Sequence, residues 1–453
     1  MEATTEVDVV VIGLGPGGEH AATKLAEAGL QVVGIDRRLV GGECPYYGCV
    51  PSKMMIRAAD ALGEARRVSD LAGSAEVAPD WSPVATRIRE EATDDWDDTV
   101  AVERLEKAGV RFVRGHGTLV GPGRVEVDGT TYSASRGVIL NTGTEPSVPP
   151  VPGLAETPYW TNRDAVRAES VPGSMVVIGG GAIGLELAQA FSRFGAAVSV
   201  VEVADRILAP EEPEASAVVA DVLAREGLQV LTGVEIGSVS HADGTFTVDL
   251  GDQVLTADKL LVAAGRRNNL ADIGLDAVGL DPSMKAIETD ERMRAGDRLW
   301  AVGDITGHGA FTHVSMYQAQ VAVRDLLEED GPWADYRAVS RVTFTDPEVG
   351  SVGMTEHQAR EAGLEVQTGQ AEIPSSSRGW IHRSGNEGII KVVADADRGV
   401  LVGATAVGPA GGEILGLLAA AVHAEVPVAT LLTMHFAYPT FHRAIENALQ
   451  DLA

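Results

Sequence analysis

The chain has 453 residues, 45% of them hydrophobic and 22% charged, enough for several domains with large apolar cores. Its 36 Lys and Arg stand against 65 Asp and Glu, a formal net charge of −29 that argues against nucleic acid or an anionic membrane surface as the main partner. The only cysteines, Cys44 and Cys49, rule out a disulfide-stapled scaffold and suggest redox chemistry or half of a metal site.

Residues 1–8 are acidic where a secretory leader would be basic, and an apolar run follows that reads as a short strand. The longest apolar tract, at 415–422, is soon broken by His423, Glu425 and Pro427. It falls short of the ~20 residues that a membrane helix needs. The expectation is a soluble cytoplasmic protein with no membrane partner.

An internal repeat is the clearest feature. VDVVVIGLGPGGEHAATKLAEAGLQVVGID at 7–36 parallels GSMVVIGGGAIGLELAQAFSRFGAAVSVVE at 173–202. Each reads as a strand, a glycine-rich turn, an amphipathic helix and a second strand ending in an acid. The glycines are Gly13, Gly15 and Gly18, then Gly179, Gly181 and Gly184, and the acids are Asp36 and Glu202. The first glycine permits a tight turn, the second lets backbone approach a pyrophosphate, and the third lets helix and strand pack closely. The helix N-terminus then faces the phosphates, and the acid accepts hydrogen bonds from a ribose. Two such units predict two bound dinucleotides.

Residues 52–68 and 82–108 read as helical, and 110–145 as short strands around Gly and Pro. The proline-rich VPPVPGL at 148–154 marks a boundary before the second nucleotide unit, which runs to about 269. From about 336 strands and helices alternate in a separate α+β domain. The expected division is 1–154, first part of one nucleotide-binding domain; 155–272, a second; 273–335, the central remainder of the first; and 336–453, the C-terminal domain. The fold class is α/β, two Rossmann-like domains followed by an α+β domain.

The segment GGECPYYGCVPSK, residues 41–53, spaces the cysteines as C-x4-C. A zinc site would need four ligands, usually from paired Cys or Cys/His sets, and no second cysteine pair exists. Inert buried thiols remain an alternative to a redox-active pair. Cys49 precedes Pro51, a favoured first helical residue, so its sulfur would lie at a helix N-terminus that favours a thiolate. Lys53 adds positive charge one turn on, while Cys44 is better placed for exchange with an outside partner. Tyr46 and Tyr47 either stack on a substrate or pack the loop.

These segments, with NTGTEP at 141–146, VAAGRRNN at 262–269, WAVGDITG at 300–307 and VTFTDPEVGSVG at 342–353, resemble the pyridine nucleotide–disulfide oxidoreductases in identity and order. This is the flavoprotein family of dihydrolipoamide dehydrogenase and of glutathione, mycothione and mercuric reductases. The resemblance implies FAD at Gly13, Gly15, Gly18 and Asp36, with Gly117, Thr142 and Gly143 lining the same site and Asp304 on the ribityl chain. It implies NADH or NADPH at Gly179, Gly181, Gly184, Glu202, Val234 and Gly265. Lys53 would lie near the reactive flavin nitrogen and pair with Glu186. Cys49 would be the thiolate facing the flavin and Cys44 the interchange thiol of a redox-active disulfide. The C-terminal domain would form a homodimer interface. Glu202 favours NADH, because a 2′-phosphate would meet like charge, with Arg206 a partial offset.

The resemblance breaks at one place. Where the family's disulfide reductases read H-x-H-P-T-x-x-E, this chain has Phe436-Ala437-Tyr438-Pro439-Thr440-Phe441-His442-Arg443. Tyr438 replaces the catalytic histidine and Arg443 its glutamate. Histidine titrates near 6.5 and tyrosine near 10, so a tyrosine can donate a proton but is a poor base for a thiol at neutral pH. General acid–base catalysis is typically worth about 10²–10⁴-fold, so the change has consequences. His435 and His442 flank the motif as other proton-handling candidates. Mercuric reductase resemblance would call for an extra C-terminal cysteine pair.

The leading expectation is an NAD(P)H-dependent flavoprotein that reduces a small disulfide or similar electrophile through Cys44 and Cys49. The alternatives are reductive cleavage or carboxylation of a thioether-type substrate, and a flavin redox sensor of low turnover.

Overall fold

The computed structural model describes residues 3–452. The chain forms two compact units: one from residues up to 51 with 87–146 and 266–335, the other from 52–86 with 147–265 and 336 onward.

The first unit is built on strand Ala3–Ile12, which lies between Val32–Asp36 and Thr130–Leu140 with all three parallel. Arg111–Arg114 extends one edge and Leu299–Ala301 the other, again in parallel. The apolar residues follow the two-residue period of a strand. Val9 and Val11 enter one core with Leu14, Leu25 and Leu105, while Val10 and Ile12 enter another with Val33, Ile35 and Leu140. Both faces are buried, as a parallel sheet requires. Helix Pro16–Glu27 opens directly after the glycine turn, with Gly15 as its extended N-cap (φ −67°) and Pro16 as its first residue.

The expected helix over 82–108 is broken. It resolves into helix Ser82–Arg87, a wide turn Ile88–Ala92 and helix Thr99–Lys107. The buried Thr93 hydroxyl donates to the carbonyls of Ile88 and Arg89, closing the wide turn. Asp94, Asp95 and Trp96 then all take left-handed backbone angles (φ 47°, 54° and 58°). Three such residues in a row without glycine are unusual.

The second unit repeats the plan in its 147–265 segment. Strands Gln229–Leu231, Ala197–Val201, Ser174–Ile178 and Lys259–Val262 form a parallel sheet, and helix Ala182–Arg193 follows the second glycine turn. A three-stranded antiparallel sheet, 238–257, covers its core through Phe246 and Val248. The C-terminal region is a five-stranded antiparallel sheet packed by helices Gly411–His423 and Ala444–Gln450. Buried Lys391 on this sheet gives its ammonium to Glu212, Glu214 and Glu356 at 2.9–3.0 Å. Three carboxylates satisfy its three donors and hold it charged despite burial. The architecture is that of two Rossmann-like halves and an α+β C-terminal domain.

Candidate active site

The two glycine turns are built alike. At Gly13 (φ 90°) a β-carbon would lie 2.3 Å from the Asn141 carbonyl oxygen, and at Gly179 (φ 114°) 2.4 Å from that of Ala263. At Gly18 and Gly184 it would lie 2.0 and 2.1 Å from the Gly13 and Gly179 carbonyls. These four glycines are demanded by the protein's own packing. The middle pair differs. Gly181 is extended (φ −84°), and among the described residues no atom lies within 4 Å of where its β-carbon would be. Gly15 meets only the Asn141 amide, at 3.3 Å. The open space beside the middle glycines and a helix N-terminus fits a closely approaching pyrophosphate.

The acids finish each turn. Asp36 accepts the N–H of Leu14 and of Arg38, both at 2.7 Å. Burial raises its carboxyl above the usual range against the pull of those bonds. Glu202 accepts the N–H of Gly180 at 2.6 Å and of Ala204 at 2.8 Å. Each oxygen retains a lone pair for a ribose hydroxyl. Val234 lies beside Glu202, its N–H on the Glu202 carbonyl at 3.2 Å. Gly265 (φ 102°) has open space where a side chain would be. Arg206 does not serve as expected: its guanidinium is spent on the carbonyls of Leu208 and Ala209 and on the Ser216 hydroxyl.

Other expected FAD residues surround the first turn. Gly117 packs against Ile12, its β-carbon position 3.2 Å from that side chain. Thr142 donates to the Asn269 carbonyl at 2.7 Å, and Gly143 (φ 64°) accepts the Asn269 N–H at 2.9 Å. Asp304 opens a short helical turn and accepts the Thr144 hydroxyl at 2.6 Å.

Cys44 lies half-buried on the short helix Glu43–Tyr46, and exposed Cys49 is the first residue of helix Cys49–Leu71. The helix therefore starts two residues before Pro51, and the Cys49 sulfur sits at its positive end, 3.5 Å from the Thr312 hydroxyl. Tyr46 is buried, and burial, with nearby Asp98, pushes its phenol up to about 12. It packs the loop and is withdrawn from any substrate. Lys53, one turn beyond Cys49, gives its ammonium to Glu186 at 2.7 Å, and Glu186 is only 4% exposed. The other Glu186 oxygen accepts the Phe344 N–H at 2.9 Å, and the ammonium lies 4.7 Å from the Phe344 ring centre.

Behind this pair runs a buried polar network on the same helices. Arg193 donates to Glu226 through two nitrogens and to Asp60 and Asp346, and Arg67 also reaches Asp346 at 2.7 Å. Burial would raise Asp346, but Arg193 and Arg67 outweigh it and hold its carboxyl below the usual range. Gln189 exchanges two hydrogen bonds with the Asp346 backbone.

Tyr438 is 68% exposed, and the Arg443 guanidinium lies 5.7 Å from its ring centre. Arg443 is held by the Phe436 carbonyl and by Glu446. His442 has its ring 6.1 Å from that of Phe436, and His435 is exposed.

Comparison with known proteins decides what this arrangement is. Residues 7–325 match the family model for pyridine nucleotide-disulphide oxidoreductase, and 339–449 match that family's dimerisation domain. The chain belongs to the pyridine nucleotide–disulphide oxidoreductase family. It is 33% identical to dihydrolipoyl dehydrogenase 2 of Haloarcula marismortui, over 99% of this chain and 97% of the relative. It is 31% identical to a mercuric reductase of Streptomyces lividans, over the same shares. The crystal structure of LpdA from Mycobacterium tuberculosis superposes with a TM-score of 0.86 at 25% identity, covering 98% of this chain and 99% of that one. The protein is thus an FAD-binding, NAD(P)H-dependent flavoprotein oxidoreductase.

Some residues that shape the site were not singled out from the sequence. Asn141, with its amide oriented to satisfy both ends, accepts the Gly18 N–H at 2.9 Å and donates to the Val302 carbonyl at 3.2 Å. Its place at the head of the NTGTEP stretch was the available signal. Phe344 likewise falls in the VTFTDPEVGSVG stretch, whereas Thr312 and Trp96 carried no signal.

Proposed function

We propose that the enzyme takes electrons from NADH and delivers them through Cys44 and Cys49 to a small disulfide or similar electrophile. Residues 1–154 and 273–335 carry FAD, 155–272 carry NADH, and 336–453 pair two copies as a cytoplasmic homodimer. The dimerisation-domain match supports the pairing, and no helix among the described residues is long and apolar enough to cross a membrane.

The observation that carries this reading is the ion pair of partly exposed Lys53 with buried Glu186, Lys53 lying one helical turn beyond Cys49. Glu186 fixes the Lys53 ammonium, and the helix N-terminus with that ammonium favours the Cys49 thiolate. FAD, when bound, supplies the two-electron relay between nicotinamide and sulfur. Cys44 attacks the acceptor, and Tyr438, with Arg443 at its ring, donates the proton that the leaving group needs. The Glu202 carboxylate supports NADH over NADPH, and the commitment of Arg206 elsewhere removes the expected counter-charge.

Among the named relatives, one is a dehydrogenase of dihydrolipoyl groups and one a reductase of mercuric ion. Tyr438 favours the reductive direction, because oxidising a dithiol needs a base. The relatives lend no support to thioether cleavage or carboxylation. Anaerobic NADH should produce a long-wavelength absorbance band in the wild type that Cys49→Ser lacks. Full bleaching of the flavin with no change in thiol content would overturn the relay.

A further inference from the structure

The left-handed turn at Asp94–Trp96 packs on the cysteine loop. The Trp96 indole N–H donates to the Tyr46 carbonyl at 3.1 Å, at the C-terminal residue of the four-residue helix that carries Cys44. The Tyr46 hydroxyl returns a bond to the Asp97 carbonyl at 3.5 Å, and the Asp98 carboxylate accepts the Val40 N–H at 2.6 Å. Arg114 holds both oxygens of the same carboxylate, at 2.6 and 2.8 Å. The other end of the short helix is held by Arg266, 3.2 Å from Glu43. Three consecutive residues without glycine in left-handed conformation are costly, and such cost persists only where surrounding contacts enforce it. Here those contacts converge on the segment bearing Cys44.

We infer that Trp96 is a positioning residue for Cys44, holding the cysteine loop in the shape from which the Cys44–Cys49 disulfide closes and opens. The inference rests on the redox reading of that pair. The Trp96 indole N–H reaches the loop through a backbone carbonyl. It fixes the carbonyl two residues beyond Cys44, and with Asp98 it brackets the loop from Val40 to Tyr46. Without that anchor the reduced loop samples more conformations, the effective concentration of one thiol near the other falls, and the disulfide weakens. Reduction of the pair takes two electrons and two protons, supplied here by dithiothreitol, which is oxidised to its cyclic disulfide.

The test uses FAD-loaded enzyme equilibrated in dithiothreitol redox buffers, with thiols counted by alkylation and mass mapping. Trp96→Phe keeps an aromatic ring and removes the N–H. It should lower the equilibrium constant for disulfide formation about fivefold, a rise of about 20 mV in midpoint potential for a two-electron couple. Alkylation of Cys44 in the reduced enzyme should change several-fold while that of Cys49 does not. Asp94→Gly, which suits the left-handed angle, should behave as wild type. If Trp96→Phe yields no folded holoenzyme, Asp95→Ala decides, and should shift the equilibrium the same way by a smaller factor. An equilibrium constant and Cys44 reactivity equal to wild type in the deciding variant would overturn the inference. Two alkylatable thiols in fully oxidised wild type would instead overturn the cysteine-pair reading itself.

Discussion

Glu186 holds Lys53 from a position 133 residues away in sequence, and both of its oxygens are occupied, one by the Lys53 ammonium and one by the Phe344 N–H. Removing the cation strands a carboxylate that is 4% exposed. Lys53→Met should therefore cost about 1–3 kcal/mol, less than a fully buried pair because the lysine is partly solvated. Urea unfolding of the FAD-loaded enzyme checks the cost. Lys53→Arg should recover most of the stability but not the full long-wavelength band, because the larger guanidinium misplaces the charge.

The glycine turns separate folding from binding. Gly181→Ala meets open space on an extended backbone, so melting temperature should stay within about 1 °C while the apparent NADH dissociation constant rises roughly tenfold or more. Gly184→Ala drives a β-carbon to 2.1 Å from the Gly179 carbonyl and should destabilise the domain outright. Parallel calorimetry and NADH titration of the two variants distinguish these outcomes.

Asp60 makes the network pH-sensitive. Burial lifts its carboxyl to about 6, with Arg193 pulling the other way and Asp346 and Glu348 adding to the rise; Arg57 also lowers it. Arg193 and Arg67 serve the half-buried carboxylates of Asp346 and Glu226 first, and Asp60 has one bond to Arg193 at 2.8 Å. A raised acid favours the neutral form in the fold, so its contribution is fully present below pH ~4 and is lost as pH rises through about 6. Asp60→Asn should melt about 2 °C above wild type at pH 8, and the gap should shrink at pH 5. An unchanged gap across that range would contradict the assignment.

In the proposed mechanism Tyr438 and Arg443 set the direction of proton traffic. Tyr438→Phe should leave reduction of the enzyme by NADH intact and slow the acceptor step about 10–100-fold. The double change Tyr438→His with Arg443→Glu should raise the oxidation of small dithiols above wild type. Stopped-flow separation of the two half-reactions measures both.

What the sequence revealed follows the range of each interaction. The nucleotide turns are readable because the closest contact that requires Gly18, the Gly13 carbonyl, lies within one strand–turn–helix unit, whereas the Asn141 carbonyl that requires Gly13 comes from a distant strand end that the motif does not name. Lys53 and Glu186 could be paired only through family resemblance, since nothing local to either residue names the other. The 82–108 helix was misread because 88–92 are good helix formers, and the break depends on Thr93 capping a wide turn and on Trp96 reaching Tyr46. Arg206 differs, because its partners are local: its charge is legible, but the turn that brings the Leu208 and Ala209 carbonyls and the Ser216 hydroxyl onto its guanidinium is not.

The bond from Leu14 to Asp36 means that the first glycine turn is shaped by the chain itself before any nucleotide arrives. If Asp36 anchors the ribose of FAD as proposed, acid that neutralises its raised carboxyl weakens that anchor, while Gly13, Gly18 and Asn141 still hold the turn. The prosthetic group should consequently be an exchangeable part, stripped by acid and restored at neutral pH. Flavin analogues of altered potential could then be fitted to the same polypeptide.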